Sequence, residues 1–99
     1  MNQTTELFKA LGNETRLSIV QELARRDGEV PGTKILSGCS KALGLAQPTL
    51  SQHFAKLVAS GALIERKQGT EKFYTLHIAA LESAGIDVSK WRNSNDEKN

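Results

Sequence analysis

The chain has 99 residues, enough for one domain, and its 38% hydrophobic and 24% charged residues read as a soluble globular protein rather than a disordered one. A net charge of +2 is compatible with a nucleic-acid partner without identifying one, so the distribution of charge has to carry that argument. No run of about 18 apolar residues is present, Met1 to Thr5 lack a signal-peptide core, and the single Cys39 cannot form an internal disulfide; no membrane partner and a reducing, cytoplasmic location are expected.

Leu7, Phe8 and Leu11 recur at helical spacing across Thr5 to Leu11, and Gly12 closes that helix. Asn13 can cap a second helix, with Glu14 in its first turn facing the positive end of the dipole. Leu17, Val20 and Ala24 form its apolar side, with Ile19 and Leu23 beside them, and Asp27-Gly28 closes it. Pro31 and Gly32 mark Glu29 to Gly32 as a loop. A third helix, capped by Thr33 or Ser37, runs to Leu43 and buries Leu36, Cys39, Ala42 and Leu43. Gly38 weakens it by about 1 kcal/mol relative to alanine, which allows a later start or a kink.

Gly44-Leu45-Ala46 is a tight turn into a stronger helix from Gln47 to Ser60. Pro48 suits its first turn, where the missing N–H has no partner to lose. Leu50, Phe54, Leu57 and Val58 form its apolar stripe. Leu63-Ile64-Glu65 and Lys72 to Leu76 read as strands around a polar turn at Gly69, a β-hairpin. His77 to Ala84 is a short last helix with Ile78, Leu81 and then Ile86 on its apolar edge. Trp91 anchors the end of a domain spanning 1–91, and 92–99 read as a polar, disordered tail. The fold class is therefore mostly α with a small β-hairpin.

Two helices joined by a tight glycine turn form the unit that presents a helix to the major groove of double-stranded DNA. With Leu50, Phe54 and Leu57 set inward, Thr49, Gln52, His53 and Lys56 point away from the core, and Gln47 and Ser51 flank them. None is acidic, as a surface meeting phosphates and base edges requires; glutamine can pair with adenine, and Ser and Thr serve bases or phosphates. The following hairpin carries Arg66, Lys67 and Lys72 around Gly69, diluted by Glu65 and Glu71. After a helix-turn-helix such a hairpin reads as a wing.

Leu7, Phe8 and Leu11, together with Ile78, Leu81 and Ile86, remain as two apolar stripes outside the core formed by Leu17, Val20, Leu50, Phe54 and Leu57. They predict a two-fold homodimer, and hence an inverted-repeat operator.

The run Leu11-Gly12-Asn13-Glu14-Thr15-Arg16-Leu17, the stretch from Ala42 to Phe54, and Leu57, Gly61, Leu63 and Arg66-Lys67-Gln68-Gly69 resemble the ArsR/SmtB repressors across residues 5–80. The resemblance implies a winged helix-turn-helix homodimer, joined through its first and last helices, that represses an operator and is released by a signal. Members that sense soft metals carry a Cys-x-Cys pair on the third helix. Here that stretch is Ile35-Leu36-Ser37, with Cys39 alone beyond it, and one thiol cannot build such a site. The C-terminal region offers His77, Glu82 and Asp87 without a second histidine. No metal and no cofactor are expected, and the inducer is unidentified. Cys39 reads as an apolar filler; a redox role would need exposure and a lowered pKa beside Lys41. Ala46 and Gln47 are weak caps, which leaves the free N–H groups of this helix available to a DNA phosphate.

The sequence holds no glycine-rich phosphate loop and no nucleophile-and-base constellation, so an enzyme is not expected. The alternative is a winged helix serving protein–protein or RNA contact. Such a module would expose apolar residues where Thr49, Gln52, His53 and Lys56 stand.

Overall fold

A computed structural model describes residues 2–26 and 28–92 of the chain. Helix α1 (Gln3–Leu11) opens at Asn2, whose side chain accepts the Thr4 N–H at 2.7 Å. Helix α2 (Glu14–Ala24) opens at Asn13, whose side chain accepts the Arg16 N–H at 3.0 Å, the cap its position predicts.

Strand β1 (Val30–Pro31) stands where the sequence suggested only a loop. Val30 is buried and pairs with Tyr74, and Pro31 pairs with Phe73. β1 is an edge strand, where a residue without an N–H is tolerated. Helix α3 (Gly32–Leu43) follows at once, with Pro31 at its cap position and no side-chain cap from Thr33 or Ser37. It runs through Gly38 as one helix from Gly32 to Leu43, with no later start. Its buried face is Gly32, Ile35 and Cys39; Leu36 is half-buried, and Ala42 and Leu43 are exposed, contrary to expectation. The three- and four-residue steps from Gly32 to Cys39 set the inward face, and the last turn runs clear of the core.

Helix α4 (Gln47–Ser60) leads into strands β2 (Leu63–Gln68) and β3 (Glu71–Leu76). The strands are longer than their apolar residues suggested and pair antiparallel from Leu63↔Leu76 to Gln68↔Glu71. Only Gly69 and Thr70 connect them, and the positive φ of 64° falls on Gly69, the pattern of a II′ hairpin turn. The sheet order is β1-β3-β2. Helices α5 (Ile78–Ser83) and α6 (Ser89–Arg92) complete the described residues. Arg92 thus lies in a helix rather than in a tail, and the remainder of the expected tail, 93–99, lies outside the described residues. Trp91 packs, half-buried, against the core.

That core is one cluster in which Phe54, Ile19, Ile35, Leu50, Leu57, Leu81 and Val20 are wholly buried. Each such side chain contributes about 1.5–3 kcal/mol relative to exposure. Ile19 takes the inward place expected of Leu17, which is half-buried. The Phe54 and Tyr74 rings meet at 5.0 Å, tilted by 57°, which locks the sheet onto α4.

The two leftover stripes are corrected by this packing. Leu7, Leu11 and Leu81 are buried in the chain's own core, and Ile78 and Ile86 pack against it half-buried. α1 lies across α4, so Leu7, Ala10 and Leu11 turn inward while Phe8, one step round, stays 48% exposed. No helix among the described residues is long and apolar enough to cross a membrane.

Candidate nucleic-acid interface

The turn between α3 and α4 is braced from within. Gly44 adopts φ 68°, a left-handed conformation that glycine enters without strain, and its N–H reaches the Ser40 carbonyl at 2.9 Å. Ser40 Oγ donates to the Leu45 carbonyl at 2.6 Å. The sequence reading missed Ser40; its signal was a hydroxyl in the last turn of a helix that ends on glycine. α4 then starts at Ala46 without a side-chain cap and with Pro48 in its first turn.

Leu50, Phe54 and Leu57 anchor α4 in the core. Gln47, Thr49, Ser51, Gln52 and Lys56 are all exposed, and among the described residues none of their side chains has a hydrogen bond or ion pair. The helix carries no acidic residue. Among the described residues the large exposed apolar side chains are Phe8, Leu43 and Ile64, none of them on α4. A face of free amides, hydroxyls and an ammonium can donate to phosphates and exchange hydrogen bonds with base edges.

His53 differs from the other predicted site residues. It is half-buried, and its Nδ1 lies 3.2 Å from Nη1 of Arg16. Burial, and then the neighbouring Arg16 and Lys56 charges, hold its pKa below the ordinary value.

The hairpin brings the three wing cations onto one ribbon but leaves them in different states. Lys67 is exposed, without an ion pair among the described residues. Lys72 Nζ lies 3.3 Å from Glu65. Arg66 is held by Glu29 through hydrogen bonds of 2.7 Å from Nε and 2.9 Å from Nη2, with Nη1 donating to Gln68 at 2.9 Å. Its guanidinium also stacks over Phe73 at 4.6 Å. Arg66, expected on the wing's DNA-binding surface, therefore has a fork-to-fork partner within the chain. Glu29, read as a loop residue, is the residue missed.

Cys39 is buried, and burial followed by the Glu22 charge pushes its thiol above the ordinary value against the opposing pull of Arg26. Its environment is that of an inert filler rather than a thiolate activated by Lys41. The described residues bring together no group of three or more His, Cys, Asp and Glu able to hold a metal ion.

Residues 13–64 match the family described as bacterial regulatory protein, arsR family. The chain is 40% identical over 89 residues to the arsenical resistance operon repressor of Escherichia coli, an alignment covering 88% of this chain and 71% of that protein. The fold is similar to HlyU from Vibrio cholerae, with TM-score 0.61 and 35% identity over 82% of this chain and 86% of that one. It is also similar to the homodimeric winged helix-turn-helix DNA-binding domain of a Mycobacterium bovis protein, with TM-score 0.64 and 26% identity over 96% of this chain and 80% of that one. α3, the turn and α4 are the helix-turn-helix, and β2 with β3 is the wing. The chain belongs to the ArsR family of bacterial regulatory proteins: it is a winged helix-turn-helix protein that binds DNA and regulates transcription.

Proposed function

We propose that the protein is a homodimeric repressor that reads an inverted-repeat operator with α4, steadies itself on phosphates with Lys67, and is released by a signal other than a metal ion. The observation that carries this reading is the row of exposed, acid-free side chains on α4, unpartnered among the described residues: Gln47, Thr49, Ser51, Gln52 and Lys56. The N–H groups at the uncapped start of α4 add donors suited to a phosphate. Repression follows the Escherichia coli relative, and the dimer follows the Mycobacterium bovis one. Phe8, with half its surface exposed on α1, supplies apolar area for the second copy. A DNA-binding regulator works in the cytoplasm, beside the chromosome.

The arsenical signal of the Escherichia coli relative is not carried over. Soft-metal capture needs several deprotonated thiolates, and Cys39 is a single buried thiol held protonated by its surroundings. The test is fluorescence anisotropy with the DNA upstream of the protein's own gene and with random DNA, each at two salt concentrations. Tighter binding to the upstream fragment, with an affinity that falls steeply with salt, supports the reading. Equal affinity for both fragments contradicts it.

A further inference from the structure

Arg16 lies outside both the helix-turn-helix and the wing, yet its side chain joins two helices. Its Nε donates to the Ala10 carbonyl at 2.8 Å, and its Nη1 lies 3.2 Å from His53 Nδ1. Ala10 sits in the last turn of α1, where carbonyls lack helical partners and the dipole favours a cation. His53 sits on α4.

A guanidinium has donors only. It can bond to Nδ1 only when that nitrogen is unprotonated, so the proton of the neutral imidazole resides on Nε2. An imidazolium would oppose N–H to N–H and set two cations side by side. The lowered pKa of His53 agrees with the neutral form. His53 Nε2 has no hydrogen-bond partner among the described residues and is not enclosed by them. It stands on the same helix as the exposed Gln52 and Lys56. His77 gives a contrast: its Nδ1 faces the Gly61 carbonyl at 3.1 Å, an acceptor, and so must carry the proton itself.

We propose that Arg16 is a positioning residue of the DNA interface: it ties the last turn of α1 to Nδ1 of His53 and so presents Nε2–H as a neutral donor to a hydrogen-bond acceptor on DNA. The proposal rests on α4 being the reading helix, and its first test does not. In a long-range proton–nitrogen NMR spectrum of the free full chain at neutral pH, the two histidines should show opposite tautomers, His53 protonated on Nε2 and His77 on Nδ1. A His53 protonated on Nδ1, or an even mixture of tautomers, would overturn the proposal whatever α4 binds.

The second test is a double-mutant cycle on operator affinity. Arg16→Ala and His53→Ala should each weaken binding about tenfold, and the double variant should be no weaker than His53→Ala alone. Additive losses, about a hundredfold together, would make Arg16 a purely structural residue and overturn the positioning role. If Arg16→Ala does not fold, Arg16→Lys runs the same cycle, because an ammonium lacks the fork needed to reach both partners. With the expected tautomer in hand, failure of the wild type to bind DNA would count against the DNA reading, and against the DNA role of His53 with it.

Discussion

Arg66 and Glu29 lie 37 positions apart in the chain and face each other through parallel hydrogen bonds of 2.7 and 2.9 Å. A carboxylate here offers the guanidinium the bidentate geometry that a phosphate would. Arg66 therefore meets DNA only by leaving Glu29. Glu29→Gln should release it, raise affinity for operator and random DNA alike, and steepen the salt dependence by about one phosphate contact. Arg66→Ala alone should leave the salt slope of the wild type unchanged. The slopes of log affinity against log salt decide this, and a Glu29→Gln slope equal to the wild type's refutes the masking.

The same pair has a defined pH response. Arg66 holds the Glu29 carboxyl below its ordinary value, and Glu29 in turn raises Arg66. For an acid with a lowered folded pKa, the contribution is complete above the unfolded pKa and is lost as pH falls through the folded one. That window lies below the ordinary carboxyl value of 4.5. Both groups are exposed, so the effect on stability is small. Across the neutral range the difference in DNA affinity between wild type and Glu29→Gln should be constant. A difference that changes with pH there would assign the switch to another group.

Lys67 stands on the same ribbon without such a partner among the described residues. Lys67→Ala should weaken binding to every DNA sequence alike and reduce the salt slope by about 1. An unchanged slope removes Lys67 from the contact set.

The contrast between Lys67 and Arg66 shows what the sequence could and could not reveal. The helices and the outward face of α4 were legible, because the spacing of Leu50, Phe54 and Leu57 fixes which of its side chains turn outward. Asn13 and Gly44 announced helix ends through local chemistry. Long-range relations were not legible. Nothing local says that Glu29 reaches Arg66, that Arg16 reaches His53, or that Val30 pairs with Tyr74. The same limit misplaced Leu7, Leu11 and Leu81: helical periodicity shows that a stripe exists, but not whether the chain's own core or a second copy covers it.

Gly32 carries the close approach of α3 to the wing. A Cβ built there would lie 3.1 Å from the Lys72 carbonyl and 3.2 Å from the Tyr74 ring. Both neighbours are held by the sheet and by Phe54. Gly32→Ala should destabilise the chain by roughly 1–3 kcal/mol, read as a lowered melting temperature. An unchanged melting temperature would mean that the α3–β3 contact yields without strain.

Phe8 is the large apolar side chain that α1 leaves outside the core. If a second copy covers it, sedimentation at micromolar concentration should show a dimer for the wild type and a monomer for Phe8→Asp, with operator affinity lost alongside. A folded Phe8→Asp dimer would place the interface elsewhere.

Gln52 is where base-edge reading by α4 can be measured. Its side chain is exposed on the outward face and has no partner among the described residues. Affinities of wild type and Gln52→Ala should be measured side by side on the operator and on random DNA at one salt concentration. Gln52→Ala should lose roughly 1–3 kcal/mol on the operator, relax preference at one base pair per half-site, and change little on random DNA. Equal losses on both would mean that this face touches only the backbone, and would refute base reading by α4.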